Sequence, residues 1–252
     1  MPFPRLIIIA FLLFFGRTSV TAQQHFFIQY SIQEGLAQTQ VFDLAQDDKG
    51  FIWVATVGGV SRFDGIEFQN YSTRDGLLKN QARVLEFGPD GRLWIGTDGG
   101  YSIYDGINFR AFALDSVYRD AELNDILVLD NETALIATDA FGVLEVKNGR
   151  ITRTIDHNSG IGSPTVRALA AMADGNILMG TRAGMYTLDQ GSFTADIHAN
   201  PDLGSANISN VMIDHEGVVW VSTFGQGVYG VKEEKVVHYT ENEGLILKWV
   251  RE

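Results

Sequence analysis

The sequence lacks cysteine and is poor in proline and in positive charge. Its 252 residues include 5 Pro and no Cys, and 19 Lys and Arg stand against 31 Asp and Glu, giving a formal net charge of −12. The absence of cysteine excludes a disulfide framework, a thiol nucleophile and a thiolate metal site. The acidic balance argues against nucleic acid or an anionic membrane surface as a partner, because phosphate binding requires clustered basic side chains.

Long hydrophobic runs are also missing, with one short exception near the N terminus. The ten apolar residues at 6–15 follow Arg5 and precede a polar stretch that ends in Ala22. Such a run is too short for the roughly 20 residues that span a bilayer, and the layout is that of a secretory signal peptide. We therefore expect a signal peptide at residues 1–22, cleaved near Ala22, and a mature protein that is periplasmic or secreted.

Threonines recur at an almost constant interval along the rest of the chain. They end short apolar runs, and successive threonines are separated by 41, 41, 43 and 42 residues. A fixed period of about 20 to 50 residues is typical of solenoids, propellers and arrays. A glycine stands three or four residues after each threonine, and a tryptophan stands three residues before three of them. The threonines are Thr56, Thr97, Thr138, Thr181 and Thr223.

Each period contains four short runs of residue types that favour strands. In the first period the runs are residues 41–45, 51–56, 60–63 and 67–71, bounded by Gly or Asp. Two-residue connections that suit type I′ hairpins are Asp64-Gly65, Asp105-Gly106 and Asn148-Gly149. Four antiparallel strands per period of about 42 residues describe a propeller blade.

The sequence thus predicts an all-β fold, a β-propeller of five four-stranded blades occupying residues 23–252. The blades are expected near residues 37–77, 78–115, 120–156, 162–198 and 205–245. Residues 246–252 match the start of a sixth repeat, because Val250 stands fifteen residues before the position expected for the next threonine. The five blades are therefore interpreted as part of a longer array, and a closed five-bladed ring is the alternative.

The residues around the first two threonines resemble the two-component regulator propeller repeat. They read DDKGFIWVAT at 47–56 and DGRLWIGT at 90–97, and an aromatic residue, Asp and Gly follow in each case. Repeats one, two and five carry the pattern well and the other two in outline, over about residues 26–250. The resemblance implies a partial array from a seven-bladed ring, within the periplasmic sensor of a hybrid histidine kinase that detects oligosaccharides.

Other patterns are interpreted as structural. Asp residues beside Gly suit tight turns and lack the alternating oxygen ligands of a calcium loop. The five histidines have no fixed spacing to one another or to a carboxylate pair, so we expect neither a metal site nor a catalytic site. Trp53, Trp94 and Trp220 share one strand position and are expected in the core between blades. No cofactor is predicted.

Candidate binding residues are those that vary within the constant repeat. In a propeller, the connections between second and third strands and those between blades gather on one face of the ring, and loops on a rigid scaffold often carry binding. Here they supply amide, charged and aromatic groups that can orient a polar ligand. The predicted ligand-binding residues are Asp98, Asp139, Phe141, Arg182, Phe224, Gln226, Lys79 and Asn80, with Gln38, Gln81, Asn124 and Asn207 in the same loops.

The function favoured by these observations is a noncatalytic periplasmic sensor. It would bind an oligosaccharide or another small polar ligand and pass the signal to a histidine kinase region absent from this stretch, and membrane contact would come through a C-terminal part outside it. A protein-binding or dimerisation scaffold, such as a homodimer, is one alternative. A propeller lyase or hydrolase is the other.

Overall fold

The structure is a computed structural model that describes residues 28–189, 192–195, 201–233, 235–247 and 250. The chain divides into two compact units, Met1–Tyr30 and Ser31–Glu252, and the strands described below all lie in the second. The predicted signal peptide and its cleavage site lie outside the described residues. Within the described ranges, no helix is both long and apolar enough to cross a bilayer.

The described residues form twenty strands in five antiparallel sheets, and the strands of each sheet follow one another in chain order. Blade one contains β1 (Val41–Gln46), β2 (Ile52–Thr56), β3 (Gly59–Phe63) and β4 (Phe68–Tyr71). Blade two contains β5 (Ala82–Phe87), β6 (Leu93–Thr97), β7 (Gly100–Tyr104) and β8 (Phe109–Ala113). Blade three contains β9 (Leu123–Val128), β10 (Thr133–Thr138), β11 (Val143–Lys147) and β12 (Arg150–Ile155).

Blades four and five repeat the same arrangement. Blade four contains β13 (Val166–Ala171), β14 (Ile177–Thr181), β15 (Gly184–Asp189) and β16 (Ser192–Ala195). Blade five contains β17 (Ile208–Ile213), β18 (Val219–Thr223), β19 (Gly227–Lys232) and β20 (Lys235–Tyr239). Short 3₁₀ turns precede blade one at Ile32–Glu34, lie between blades at Ser116–Tyr118, His157–Ser159 and Pro201–Gly204, and follow blade five at Glu241–Glu243.

The five blades are arranged in a ring, and each of the first four packs against the next through its innermost strand. These strands, β1, β5, β9, β13 and β17, contact one another in that order. The predicted all-β propeller of five four-stranded blades is therefore confirmed. A sixth blade and a seven-bladed ring stay predictions, although the Val250 N–H does donate to the Thr223 carbonyl at the edge of blade five.

The threonines that mark the repeat close the hairpin between the second and third strands of each blade. All five are fully buried. The Thr138 hydroxyl donates to the Gly142 carbonyl at 2.8 Å and accepts from the Phe141 N–H at 2.9 Å. Thr56, Thr181 and Thr223 form the same two kinds of bond within their own hairpins. A buried polar group must be hydrogen-bonded, which explains why the side chain recurs with the hairpin.

Two of the three predicted type I′ hairpins are wrong. At Asp64 and Asp105 the loops are four residues long, because β3 ends at Phe63 and β4 begins at Phe68, with the same spacing in blade two. The Asp64 carboxylate accepts from the N–H groups of Ile66 and Glu67, both at 2.8 Å. This local bonding competes with the two-residue turn. Asn148 and Gly149 do form the predicted connection, with φ of 52° and 77°.

Four apolar clusters fill the spaces between consecutive blades. Trp53 and Trp94 lie in two of these clusters and are 2% and 1% exposed. Trp220 departs from the prediction, because it is only partly buried on a side of blade five that no described blade covers. It lines an apolar groove there with Met212 and Val228.

Candidate functional site at the centre of the ring

Each innermost strand carries a β-bulge at its second residue. In blade one the pairing with β2 passes from Val41 directly to Asp43, which leaves Phe42 opposite no partner residue. The other four innermost strands show the same irregularity. A bulge inserts one unpaired residue and re-aims its side chain. The five residues at this position are Phe42, Arg83, Asn124, Arg167 and Ser209.

All five bulge residues line one cavity of about 320 Å³. Because they come from the innermost strands of all five blades, this cavity lies on the axis of the ring. Phe224, from the loop between β18 and β19, lines it as well. The central cavity therefore combines two guanidinium groups, an amide, a hydroxyl and two aromatic rings, which is a mixture suited to orienting a polar ligand.

Arg83 is held in place by acidic and aromatic neighbours. Its Nε donates to an Asp98 carboxylate oxygen at 2.6 Å, and a second guanidinium nitrogen lies 3.3 Å from Glu122. Its guanidinium carbon also lies 5.5 Å from the centre of the Phe42 ring. Planar, delocalised guanidinium groups favour this combination of carboxylate pairing and ring stacking. The side chain is thus preorganised beside the cavity.

Arg167 occupies the corresponding position in blade four. Its guanidinium carbon lies 4.7 Å from the centre of the Phe224 ring. It also donates to the Asn207 side chain and, at 3.0 Å, to the Ile208 carbonyl. The second arginine of the cavity is thereby fixed against blade five.

The bulge residues also connect consecutive blades. The Asn124 amide donates to the Val166 carbonyl at 2.8 Å, and the Ser209 hydroxyl donates to the Val250 carbonyl at 2.5 Å. Asn124 and Arg167 thus bond to the first residue of the next innermost strand, which is Val166 for Asn124 and Ile208 for Arg167. Ser209 bonds in the same way to Val250, where the sequence pattern of a sixth repeat begins. A ligand in the central cavity would therefore touch the groups that set the spacing between blades.

Carboxylates lie deeper along the innermost strands. An adjoining cavity of about 530 Å³ shares Phe42 and both arginines and is also lined by Asp43 and Asp125. These two carboxylates accept from the backbone N–H groups of Leu85 and Leu169 in the next blade, each at 2.7 Å. Burial raises the pKa of Asp43 above its usual value, and the backbone N–H groups of Leu85 and Leu44, which donate to this carboxylate, oppose that shift.

Glu86 lies near these carboxylates. Burial raises the pKa of Glu86 to about 7, with further contributions from the negative charges of Asp125 and Asp43. Within the described ranges, no group of three His, Cys, Asp or Glu side chains has the geometry of a metal site. Asp43 and Asp125 thus connect to the neighbouring blades through backbone hydrogen bonds and raise the pKa of Glu86 through their negative charge.

Two of the eight predicted binding residues lie at the central cavity. Phe224 lines it, and Asp98 contacts it through the ion pair with Arg83. Asn124 and Asn207, from the wider set of loop residues, contribute as a lining residue and as a partner of Arg167. The ring-face loops thus supply part of the site.

The other six predicted residues do not line the central cavity. Asp139, Arg182 and Lys79 are exposed, and the Asn80 side chain accepts from the Thr73 N–H at 2.9 Å. Phe141 packs edge-on against Tyr118 beside the core between blades two and three. Gln226 lines a separate pocket on blade five.

Sequence reasoning missed Phe42, Arg83, Arg167 and Ser209. Each stands fourteen residues before the threonine of its own repeat, as Asn124 does. Within the alignment of the five repeats this position varies in chemistry while the residue before it stays apolar. The signal was present in the sequence, but a bulge is needed to explain why residues of a buried strand face a cavity.

Residues 35–58, which contain β1 and β2, match the family model described as two component regulator propeller. The first repeat is therefore similar to the two component regulator propeller repeat. The resemblance predicted from the sequence is confirmed there. No curated protein sequence matches the chain at a significant level.

The solved structures similar to this chain include extracellular domains of other proteins. One, assigned to a hybrid two component system of B. thetaiotaomicron, has a TM-score of 0.72 and 21% identity, covering 88% of this chain and 31% of that chain. Another, assigned to a one component system of the same organism, has a TM-score of 0.69 and 20% identity, covering 85% and 33%. The chain thus spans about a third of the length of these two structures.

An enzyme shares the architecture more distantly. Virginiamycin B lyase from Staphylococcus aureus has a TM-score of 0.63 and 9% identity, covering 80% of this chain and 70% of that chain. At such identities the likeness concerns the fold alone. The fold by itself does not decide between sensing and catalysis.

Proposed function

We propose that this chain is the sensor propeller of a two-component signalling system and that it acts outside the cytoplasmic membrane. It binds an oligosaccharide or a similar polar ligand without catalysing its conversion. The observation that carries the proposal is the central cavity, where bulge residues from all five blades place polar and aromatic groups around one axis. The proposal is supported by the similar solved structures, which are extracellular domains assigned to a one component and a hybrid two component system.

Signalling would follow from the connections between blades. Asn124, Arg167 and Ser209 line the cavity and also bond to the next blade or to Val250. A ligand shifts a conformational equilibrium only by its differential affinity for two states. A ligand that contacts these side chains would favour one spacing of the blades, and the change would pass to a histidine kinase region in a longer protein.

The proposal is tested by calorimetry of the mature chain with a panel of neutral and acidic oligosaccharides. We expect at least one to bind, and we expect Arg167→Met to weaken that binding at least tenfold, since hydrogen bonds to charged groups contribute about 1.5 to 3 kcal/mol. The control is Arg150→Met, which removes an exposed arginine on the outer strand β12.

Two results would count against the sensor. The absence of heat with every oligosaccharide would favour a protein-binding or dimerisation scaffold, which light scattering of the same sample would examine. Consumption of a bound oligosaccharide, followed by chromatography, would favour a lyase or hydrolase. Equal binding by the Arg167→Met and Arg150→Met variants would place the ligand outside the central cavity.

A further inference from the structure

A second cavity, of about 330 Å³, lies between blades two and three at the opposite end of the strands from the threonine hairpins. Its walls include Trp94 and Tyr101 of blade two and the turn Asn148-Gly149 of blade three. The charged residues of the lining are Arg92, Arg110 and Glu132. We call it the outer cavity.

Two other blades carry a tryptophan equivalent to Trp94, and they show what its indole N–H bonds to elsewhere in this chain. In blade one the Trp53 indole N–H donates to the carboxylate of Asp47 at 3.0 Å. In blade five the Trp220 indole N–H donates to the carboxylate of Asp214 at 2.8 Å. Each aspartate stands six residues before its tryptophan. The fold therefore pairs this indole with a carboxylate wherever the repeat supplies one.

Blade two lacks that carboxylate, because Gly88 occupies the position six residues before Trp94. A Cβ atom at Gly88 would lie 3.0 Å from an Asp90 carboxylate oxygen, 3.3 Å from the Val128 Cγ1 and 3.5 Å from the Trp94 Nε1, so a side chain at this position would reach the indole. Trp94 and Tyr101 are each 1% exposed. Their Nε1 and hydroxyl groups are the two buried side-chain polar atoms without a hydrogen-bond partner among the described residues.

The positively charged Arg110 lines the same cavity as the Trp94 indole N–H and the Tyr101 hydroxyl, the two donors without a partner. Arg110 forms no salt bridge with any residue of the described ranges, and its guanidinium lies 4.8 Å from the centre of the Phe112 ring. Arg92, by contrast, is paired with Asp90. Burial raises the pKa of Tyr101 to about 12, although the positive charge of Arg110 opposes the shift. Tyr101 is therefore a neutral O–H donor at physiological pH.

We propose that the outer cavity binds the carboxylate group of a small acidic ligand. The carboxylate accepts from the Trp94 indole and the Tyr101 hydroxyl and is neutralised by Arg110. It takes the place that Asp47 and Asp214 occupy in the sister blades. Buried donors left unpaired are costly and are rare in native proteins. Since ligand pockets range from about 300 to about 1,000 Å³, the outer cavity suits a monosaccharide-sized molecule.

The carboxylate could belong to an acidic sugar or to another small organic acid, and titration of the full chain distinguishes them. The probes are glucuronate, glucose, L-glutamate and acetate. Binding of glucuronate without glucose supports a sugar acid, and binding of glutamate or acetate without glucuronate supports a different organic acid. Equal binding of glucose and glucuronate, or no binding by any acid, would overturn the proposal.

Tyr101→Phe removes one donor while keeping the ring. We expect it to weaken binding of the acid about tenfold, the effect of losing a hydrogen bond to a charged group. The matched control is Tyr104→Phe on the same strand, because the Tyr104 hydroxyl donates to the Gly106 carbonyl and does not line the outer cavity. Equal affinities in these two variants would refute the assigned contact.

Gly88→Asp supplies the carboxylate from within the chain. We expect this variant to lose binding of the acid, and we expect the ¹⁵N indole resonance of Trp94 to shift without ligand. Circular dichroism would verify that it folds, and the Tyr101→Phe result stands independently if it does not. Arg167→Met, which acts at the central cavity, should bind the acid as the unmodified chain does, so failure of the sensor proposal and failure of this one are distinguishable.

Discussion

At the residue scale, single substitutions within a constant repeat create the chemistry of this molecule. The position six residues before the second-strand tryptophan is Asp47 in blade one and Gly88 in blade two. The first satisfies the indole N–H and the second leaves it facing a cavity. Comparing equivalent positions of the repeats thus shows which residue depends on which. A position where one repeat differs from the others is more informative about function than the positions that all repeats share.

Glu86 gives a prediction at the same scale. Because its pKa is raised from 4.5 to about 7 in the folded state, the folded protein holds this proton more tightly than the unfolded chain does. Its contribution to stability is therefore complete below about pH 4.5 and is lost as the pH rises through about 7. Above that pH the charged carboxylate is buried near Asp43 and Asp125.

We expect Glu86→Gln to be more stable than the unmodified chain at pH 8 by about 2 kcal/mol, a value reduced for partial solvent screening. At pH 4 the difference should largely vanish. Urea denaturation at both pH values measures this difference, and comparison with the variant isolates the contribution of Glu86 from those of the other ionisable groups. Exposed Glu67→Gln controls for the loss of one negative charge, and a pH-independent difference would contradict the assignment.

At the element scale, the hairpins between second and third strands rest on two recurring residues. Each hairpin depends on a buried threonine and on a glycine that approaches other backbone. At Gly142, φ is 71° and a Cβ would lie 2.0 Å from the Ile155 carbonyl oxygen. Only glycine fits where positive φ and such close approach coincide.

Gly142→Ala and Gly175→Ala form a matched pair at this scale. Gly175 also has a positive φ, of 88°, but a Cβ there would meet nothing within 4 Å. We expect Gly175→Ala to cost about 1 kcal/mol, the penalty of the left-handed conformation. Gly142→Ala should cost about 3 kcal/mol or more, because the hairpin must also move away from β12. Denaturation midpoints at constant slope measure both, and equal costs would exclude the backbone contact.

At the scale of the whole molecule, stability comes from blades covering one another. A four-stranded blade has two faces, and the apolar clusters lie between blades. Trp53 and Trp220 donate the same hydrogen bond within their blades. Their burial differs, because blade two packs over Trp53 whereas Trp220 is partly exposed.

We therefore expect Trp53→Ala to destabilise the protein by about 4 kcal/mol, as buried aromatic truncations do. Trp220→Ala should cost about half as much in the same chain, because water already reaches part of the side chain. Chemical denaturation of the two variants provides the comparison. A cost for Trp220→Ala equal to that for Trp53→Ala would show that another part of the protein covers blade five.

The sequence by itself determined the architecture, because each blade is a local unit whose threonine, glycine and apolar positions repeat along the chain. It did not determine the loops at Asp64 and Asp105, where side-chain bonding to the backbone lengthens the turn. Only the tertiary structure decided which residues meet at the central cavity and at the outer cavity. Arg83 and Arg167 are far apart in sequence, and they converge because a ring places equivalent positions of all blades around one axis.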